Sequence, residues 1–201
     1  MTTLNKLPLA LQELLPATLQ PQCRFFSGSK DERLFAQSKK PEQMFYVLNA
    51  EVVLLRLGTQ GEHIVLQRVR RGFVAEASLQ STNYHCDAIV TASGDFIAVP
   101  IAAIKQALLV DSAFAIRWIG MLNQEVKRLR GQCERLSLRG VRNRLLHLIE
   151  SEGQSGRLSL GAGLKSIALE LGVTHEALYR TVAELEKQQV LRREGGYIHL
   201  L

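Results

Sequence analysis

Apolar positions follow one rhythm in the first half of the chain and another in the second. Leu7 to Leu15 has helical spacing and predicts a short amphipathic helix, with Pro8 tolerated in its first turn. From about Cys23 the rhythm shortens. Arg33-Leu-Phe-Ala, Met44-Phe-Tyr-Val-Leu, Val52-Val-Leu-Leu-Arg-Leu and His63-Ile-Val-Leu-Gln-Arg-Val are runs rich in β-branched and aromatic residues, which predicts strands. Gly58-Thr-Gln-Gly61 predicts a hairpin turn between the last two, with glycine supplying positive φ. Ala88-Ile-Val-Thr-Ala and Asp95-Phe-Ile-Ala-Val complete the series, with Ser93-Gly94-Asp95 as a further turn. Short strands with regular turn signals predict a small barrel or jelly roll. Pro100 then opens a short helix over Ile101 to Leu109.

Asp111 to Ser137 predicts one long helix. Its apolar positions Ala115, Ile119, Leu122, Val126, Leu129, Cys133 and Leu136 are separated by alternating steps of four and three. Such a heptad seam predicts a parallel homodimer; the plainer alternative is a helix lying on its own domain. Leu138-Arg139-Gly140 reads as a hinge, because Gly140 weakens a helix. Val141 to Glu150 predicts another amphipathic helix, and Ser151 to Gly156 a flexible surface turn.

The most informative stretch runs from Leu164 to Glu186. Leu164, Ile167, Ala168 and Leu171 form one apolar stripe, Gly172 stops that helix, and Thr174 can cap the next. Leu178, Val182 and Leu185 share a face of the second helix, while His175, Glu176, Tyr179 and Arg180 point elsewhere. A polar first turn on a helix with a buried back is what a helix-turn-helix presents to the DNA major groove. Two short strands around Gly195-Gly196 then add a wing.

Charge agrees with this reading. The chain of 201 residues is 46% hydrophobic and carries a formal net charge of +6, which suits a polyanionic partner. Lys127, Arg128, Arg130, Arg135, Arg139, Arg142 and Arg144 crowd one stretch against Glu134 alone, and phosphate contact is the favoured reading over a solvated helix face. Cys23, Cys86 and Cys133 are widely separated and have neither zinc-site nor disulfide-framework spacing. The start lacks a secretory h-region and no apolar run could span a bilayer, so a cytoplasmic protein without membrane contact is expected. No catalytic triad, paired acid/base carboxylates or P-loop is present; neither an enzyme nor a cofactor is expected.

The order of parts resembles the CRP/FNR superfamily of bacterial transcription regulators. The resemblance runs from about Cys23 to Leu201. Its most specific stretches are Arg33-Leu-Phe with Phe45-Tyr-Val-Leu, and Ile167-Ala-Leu-Glu-Leu-Gly-Val-Thr-His-Glu-Ala-Leu-Tyr-Arg. It implies an α+β chain of three parts: a cyclic-nucleotide-binding-like jelly roll over 1–110, a dimerisation helix over 111–137 and a winged helix-turn-helix over 138–201. It also implies double-stranded DNA, a second copy and RNA polymerase as partners. Base reading would fall to Thr174, His175, Glu176 and Arg180, with His175 replacing an arginine common in the family. Arg180 can pair bidentately with guanine, and Glu176 can accept from cytosine N4. Tyr179 can reach a thymine methyl or a phosphate, or pack on the turn; Lys165 suits a phosphate, and Thr174 can also be only a cap.

The sensor end departs from the family. Its cyclic-nucleotide binders carry Gly-Glu-Leu followed by Arg-Ser-Ala; the corresponding stretches here are Ala75-Glu76-Ala77 and Cys86-Asp87-Ala88. Without the arginine, Asp87 sets a carboxylate where an anionic phosphate would sit, a conflict on the order of several kcal/mol at low dielectric. Ala50 stands where the family often has glycine, and Leu129 and Arg130 where nucleotide binders have polar base contacts. Glu76, Cys86 and Asp87 are the candidate effector-pocket residues, with Glu76 alone better suited to stabilising the loop than to binding a ligand, and no cyclic AMP or cyclic GMP binding is expected. Three scattered cysteines cannot hold an iron–sulfur cluster. His85-Cys86 leaves a haem sensor open, Cys133 at the seam a redox sensor, and an interaction module with a vestigial helix-turn-helix is the third alternative.

Overall fold

The computed structural model describes residues 7–161 and 163–201. Met1 to Lys6, read above as part of a start without a secretory h-region, lie outside them. The chain divides into two compact units, Met1–Asn123 and Gln124–Leu201.

The first unit holds helix α1 (Leu9–Leu14) and eight strands: β1 (Arg24–Gly28), β2 (Arg33–Phe35), β3 (Gln43–Val47), β4 (Glu51–Leu57), β5 (His63–Val69), β6 (Gly72–Val74), β7 (Asp87–Ala92) and β8 (Gly94–Pro100). After them come α2 (Ile101–Val110) and the first half of α3 (Ser112–Ser137). The strands form two antiparallel four-stranded sheets, ordered β1-β8-β3-β6 and β2-β7-β4-β5. Phe45, Val47, Phe96 and Ala98 point between the sheets, where they meet Val52, Leu54, Ala88 and Val90. Met44, Tyr46, Ile97 and Val99 point the other way, onto Leu11, Leu15, Ile104, Phe114 and Trp118. The first sheet is thus covered on both faces, which is why β3 and β8 are apolar without alternation.

Three strands lie outside the apolar runs identified above: β1, β6 and, in the second unit, β9 (Arg157–Ser159). The N-terminal helix begins two residues later than its apolar spacing suggests, with Pro8 as its N-cap. Gly58 to Gly61 turns the β4–β5 hairpin as expected, Gly61 at φ +83°. Ser93-Gly94-Asp95 carries the chain from one sheet to the other, since β7 and β8 pair with different neighbours. A Cβ on Gly94 would lie 2.8 Å from Ala50 Cα, so only glycine fits this corner.

The second unit contains the rest of α3, then α4 (Val141–Glu152), β9, α5 (Leu164–Glu170), α6 (His175–Lys187), β10 (Leu191–Glu194) and β11 (Tyr197–Leu200). The strands form a sheet ordered β10-β11-β9. Leu145, Leu148 and Ile149 of α4 pack with Leu158, Ile167, Leu178, Val182, Leu185 and Ile198 into its core. The surface turn expected over Ser151 to Gly156 is shorter than its sequence suggests. Ser151 and Glu152 finish α4, and Gln154 and Arg157 exchange backbone hydrogen bonds at 2.8 and 3.0 Å.

Along α3 the buried positions are not those of the heptad seam. Phe114 and Trp118 are buried in the first unit, Gln132 and Arg135 in the second. Each precedes a seam position by one residue. Ile119, Val126, Cys133 and Leu136 are exposed, and Ala115, Leu122 and Leu129 half-buried. Among the described residues, no helix is long and apolar enough to cross a membrane.

Candidate nucleic-acid interface

Local sequence builds the helix-turn-helix. Leu164, Ile167, Ala168 and Leu171 are buried. Gly172 takes φ +62°, the left-handed conformation that lets the Val173 N–H donate to Ala168 O at 3.0 Å and close α5. Val173 packs half-buried against the core. Thr174 Oγ1 accepts the N–H of Ala177 at 3.2 Å, so the N-cap is formed. With Leu178, Val182 and Leu185 buried, α6 turns the opposite face to solvent.

That face carries the expected readers. Glu176 and Arg180 are exposed, Tyr179 is 45% exposed, and His175 is half-buried. The His175 and Tyr179 rings meet edge-on with centroids 4.3 Å apart, so Tyr179 packs on its neighbour one turn back and not into the core. Hydrogen bonds from its own backbone N–H and from Thr174 hold the Glu176 carboxyl below the usual range. It is therefore an anionic acceptor at neutral pH. Lys165 is exposed in the first turn of α5.

The wing adds residues that sequence reasoning passed over. Arg192, His199 and Arg157 lie directly opposite one another across β10, β11 and β9, hence on one face of the sheet. The Arg157 guanidinium sits 4.3 Å from the Tyr197 ring centroid, and Arg192 pairs with Glu194 at 3.3 Å. On the other face, Arg193 grips Glu186 of α6. Period-two alternation in Leu-Arg-Arg-Glu held this information once the pairing partner was known.

The basic stretch from Lys127 to Arg144 is corrected in part. Arg128 pairs with Glu125 at 2.6 Å. Arg135 is 1% exposed and pairs with Glu152 at 2.5 Å. Arg144 donates to the backbone oxygens of Leu138 and Leu171, both at 2.9 Å. These three side chains are engaged with the protein's own groups, Arg128 along α3, Arg135 in the interior and Arg144 at helix ends, which leaves Lys127, Arg130, Arg139 and Arg142 exposed. Charge counted along a chain does not distinguish a guanidinium facing solvent from one facing carboxylates.

The same order of roll, long helix and winged helix-turn-helix recurs in solved structures. FixK2 from Bradyrhizobium japonicum matches with a TM-score of 0.75 and 20% identity, over 89% of this chain and 92% of that one. A transcriptional regulator of the CRP family from Thermus thermophilus matches at 0.68 and 17% identity, over 88% and 91%. The chain has the CRP/FNR fold. A mutant of CooA from Carboxydothermus hydrogenoformans shares it at a TM-score of 0.71 and 18% identity, over 98% and 92%. No protein-family model matches the chain, and no curated protein is similar enough in sequence to match it.

Within the roll of this CRP/FNR fold, the expected effector residues are occupied by local structure. Glu76 opens a 3-10 turn that ends at Ser78, and Ala75 before it has φ +77°, a conformation costing an L-residue about 1–2 kcal/mol. Cys86 is buried; burial first, then the charges of Glu76 and Asp87, push its thiol up to about 11 against the opposing influence of Arg56. Asp87 Oδ1 accepts the Gln37 N–H at 2.7 Å, and Oδ2 lies 4.0 Å from Arg33. Among the described residues no group of three or more His, Cys, Asp or Glu side chains could hold a metal ion.

Proposed function

We propose that this protein is a homodimeric, sequence-specific DNA-binding transcription regulator that works without a cyclic nucleotide. One observation carries the reading: α6 buries Leu178, Val182 and Leu185 while its capped first half presents Glu176, Tyr179 and Arg180 exposed, with His175 half-buried beside them. Those side chains offer a guanine reader, a cytosine acceptor and an aromatic contact in the reach of two helical turns.

The uncovered seam on α3 supports the dimer. Ile119 and Val126 are 57% and 44% exposed in the single chain, and a parallel partner would bury them. Paired readers would then address two half-sites about one helical turn apart. Independence from cyclic nucleotides is supported by the Asp87 carboxylate, which holds the Gln37 amide where a phosphate would need donors. A protonated, buried Cys86 also speaks against a thiolate ligand for haem. Promoter output would pass through contact with RNA polymerase.

Selection of bound sequences from a random duplex library at near-physiological salt tests the reading. A two-fold symmetric motif is the expected result. Enrichment of no motif, with the fold intact by circular dichroism, would favour the vestigial helix-turn-helix.

A further inference from the structure

Among the described residues, the largest fully buried side chain is a charged one, Arg135. It sits on the last turns of α3 and reaches two carboxylates, Glu152 Oε1 at 2.5 Å and Glu170 Oε1 at 3.5 Å. Glu152 is the last residue of α4 and Glu170 the last of α5. An anion at a helix C-terminus is disfavoured by the helix dipole, and the guanidinium offsets this for both carboxylates.

A second arginine works from the other side of the 138–140 link. Arg144, in the first turn of α4, donates through Nε to Leu138 O and through Nη1 to Leu171 O, each at 2.9 Å. Leu138 follows α3, and Leu171 follows α5. Arg135 and Arg144 therefore bracket Leu138-Arg139-Gly140 in sequence and converge on residues 170 and 171. Gly172 and Thr174, which launch α6, come directly after that point. Gly140 has φ +80° with open space where a Cβ would lie, and the two guanidinium groups span the link on either side of it.

We infer that Arg135 and Arg144 are positioning residues that lock the helix-turn-helix onto the C-terminal half of α3, so that the reader turns with that helix and does not swing at 138–140. The compact unit begins at Gln124, which places the last fourteen residues of α3 with the head. In a dimer joined through α3, the spacing of the two readers then follows from the helix pair. Removing one partner would strand buried charges and unfold the site, so the neutral triple variant Arg135→Met/Glu152→Gln/Glu170→Gln is the better probe. Arg144→Gln is its companion.

The inference rests on the proposed DNA reading for its first readout only. Two half-sites of the selected motif, separated by every spacer within about two base pairs of the preferred one, are offered to each protein. Wild type should strongly favour one spacer. A variant that still melts cooperatively should keep its base preferences while spacer discrimination falls about tenfold, equivalent to ~1.4 kcal/mol. Folded variants with wild-type spacer discrimination would overturn the lock. Hydrogen exchange reads it without DNA: amides from Leu138 to Arg144 should exchange about tenfold faster in the variants, by the same arithmetic. Unchanged exchange overturns the lock even where DNA binding fails for other reasons, and faster exchange without a DNA motif upholds the lock while sinking the reader.

Discussion

Arg193 on β10 donates from Nε and Nη2 to the two carboxylate oxygens of Glu186 on α6, at 2.9 and 2.7 Å. The Arg193 backbone N–H donates to the same carboxylate at 3.2 Å. A planar guanidinium and a planar carboxylate match in this geometry, so the wing is tied to α6 by a fork and not by a single contact. The hydrogen bond from Arg193 is the main reason the Glu186 carboxyl is held below its usual range, with burial opposing.

The pair has a pH signature. A carboxylate whose pKa is depressed on folding stabilises fully above its unfolded value, about 4.3, and loses that contribution as pH falls through the folded value. Exposures of 36% and 28% for the two side chains leave the bond well screened, so Arg193→Ala should cost only ~0.5–1 kcal/mol at neutral pH. Thermal melts at a series of pH values check this. The gap between wild type and variant should close below about pH 4; a constant gap would mean that the loss lies in packing.

Arg180 and Lys165 should fail in different ways. Arg180→Ala should cost about 1–3 kcal/mol on the selected site and relax preference at one base pair per half-site. Lys165→Ala should weaken all sequences alike and lower the slope of log affinity against log salt by about 1. Equilibrium titrations over a salt series separate the two, and an Arg180→Ala protein with unchanged specificity would remove this residue from the reader.

Charges placed on the α3 seam should separate the subunits without unfolding them. Ile119 and Val126 are exposed in the single chain, so Ile119→Glu and Val126→Glu leave its core intact. Sedimentation equilibrium should show wild-type dimers and variant monomers. Variants that remain dimeric would place the interface elsewhere.

Gly94 is predicted to tolerate no side chain. An added Cβ would lie 2.7 Å from Asn49 Oδ1 and 2.8 Å from both Asn49 O and Ala50 Cα. The same corner holds Asp95, whose backbone N–H donates to Asn49 Oδ1 at 2.6 Å and whose carboxylate accepts from Ser27 and Asn49. Gly94→Ala should cost about 1–3 kcal/mol, seen as a lower urea midpoint with an unchanged slope.

Cyclic AMP and cyclic GMP should give no heat on isothermal titration into the protein. The Asp87 carboxylate, already committed to Gln37 and Arg33, is the reason. Micromolar binding of either nucleotide would show that the roll had found another way to hold a phosphate.

Some features were determined by the sequence alone, because their causes are local. Gly172, Thr174 and the spacing of Leu178, Val182 and Leu185 dictate a turn, a cap and a buried face within a few residues of one another, and α5 and α6 follow. The apolar runs of β3, β4, β5, β7 and β8 were legible for the same reason, whereas β1, β6 and β9 are strands because of the neighbours they pair with. Tertiary structure decided what each charge does. Arg135 and Arg139 are four residues apart and chemically identical, yet one is buried between Glu152 and Glu170 and the other faces water. Only the folding of α4 and α5 brings those carboxylates to α3. A guanidinium's role is set by the electrostatics of what surrounds it in space, and spacing along a chain does not carry that information.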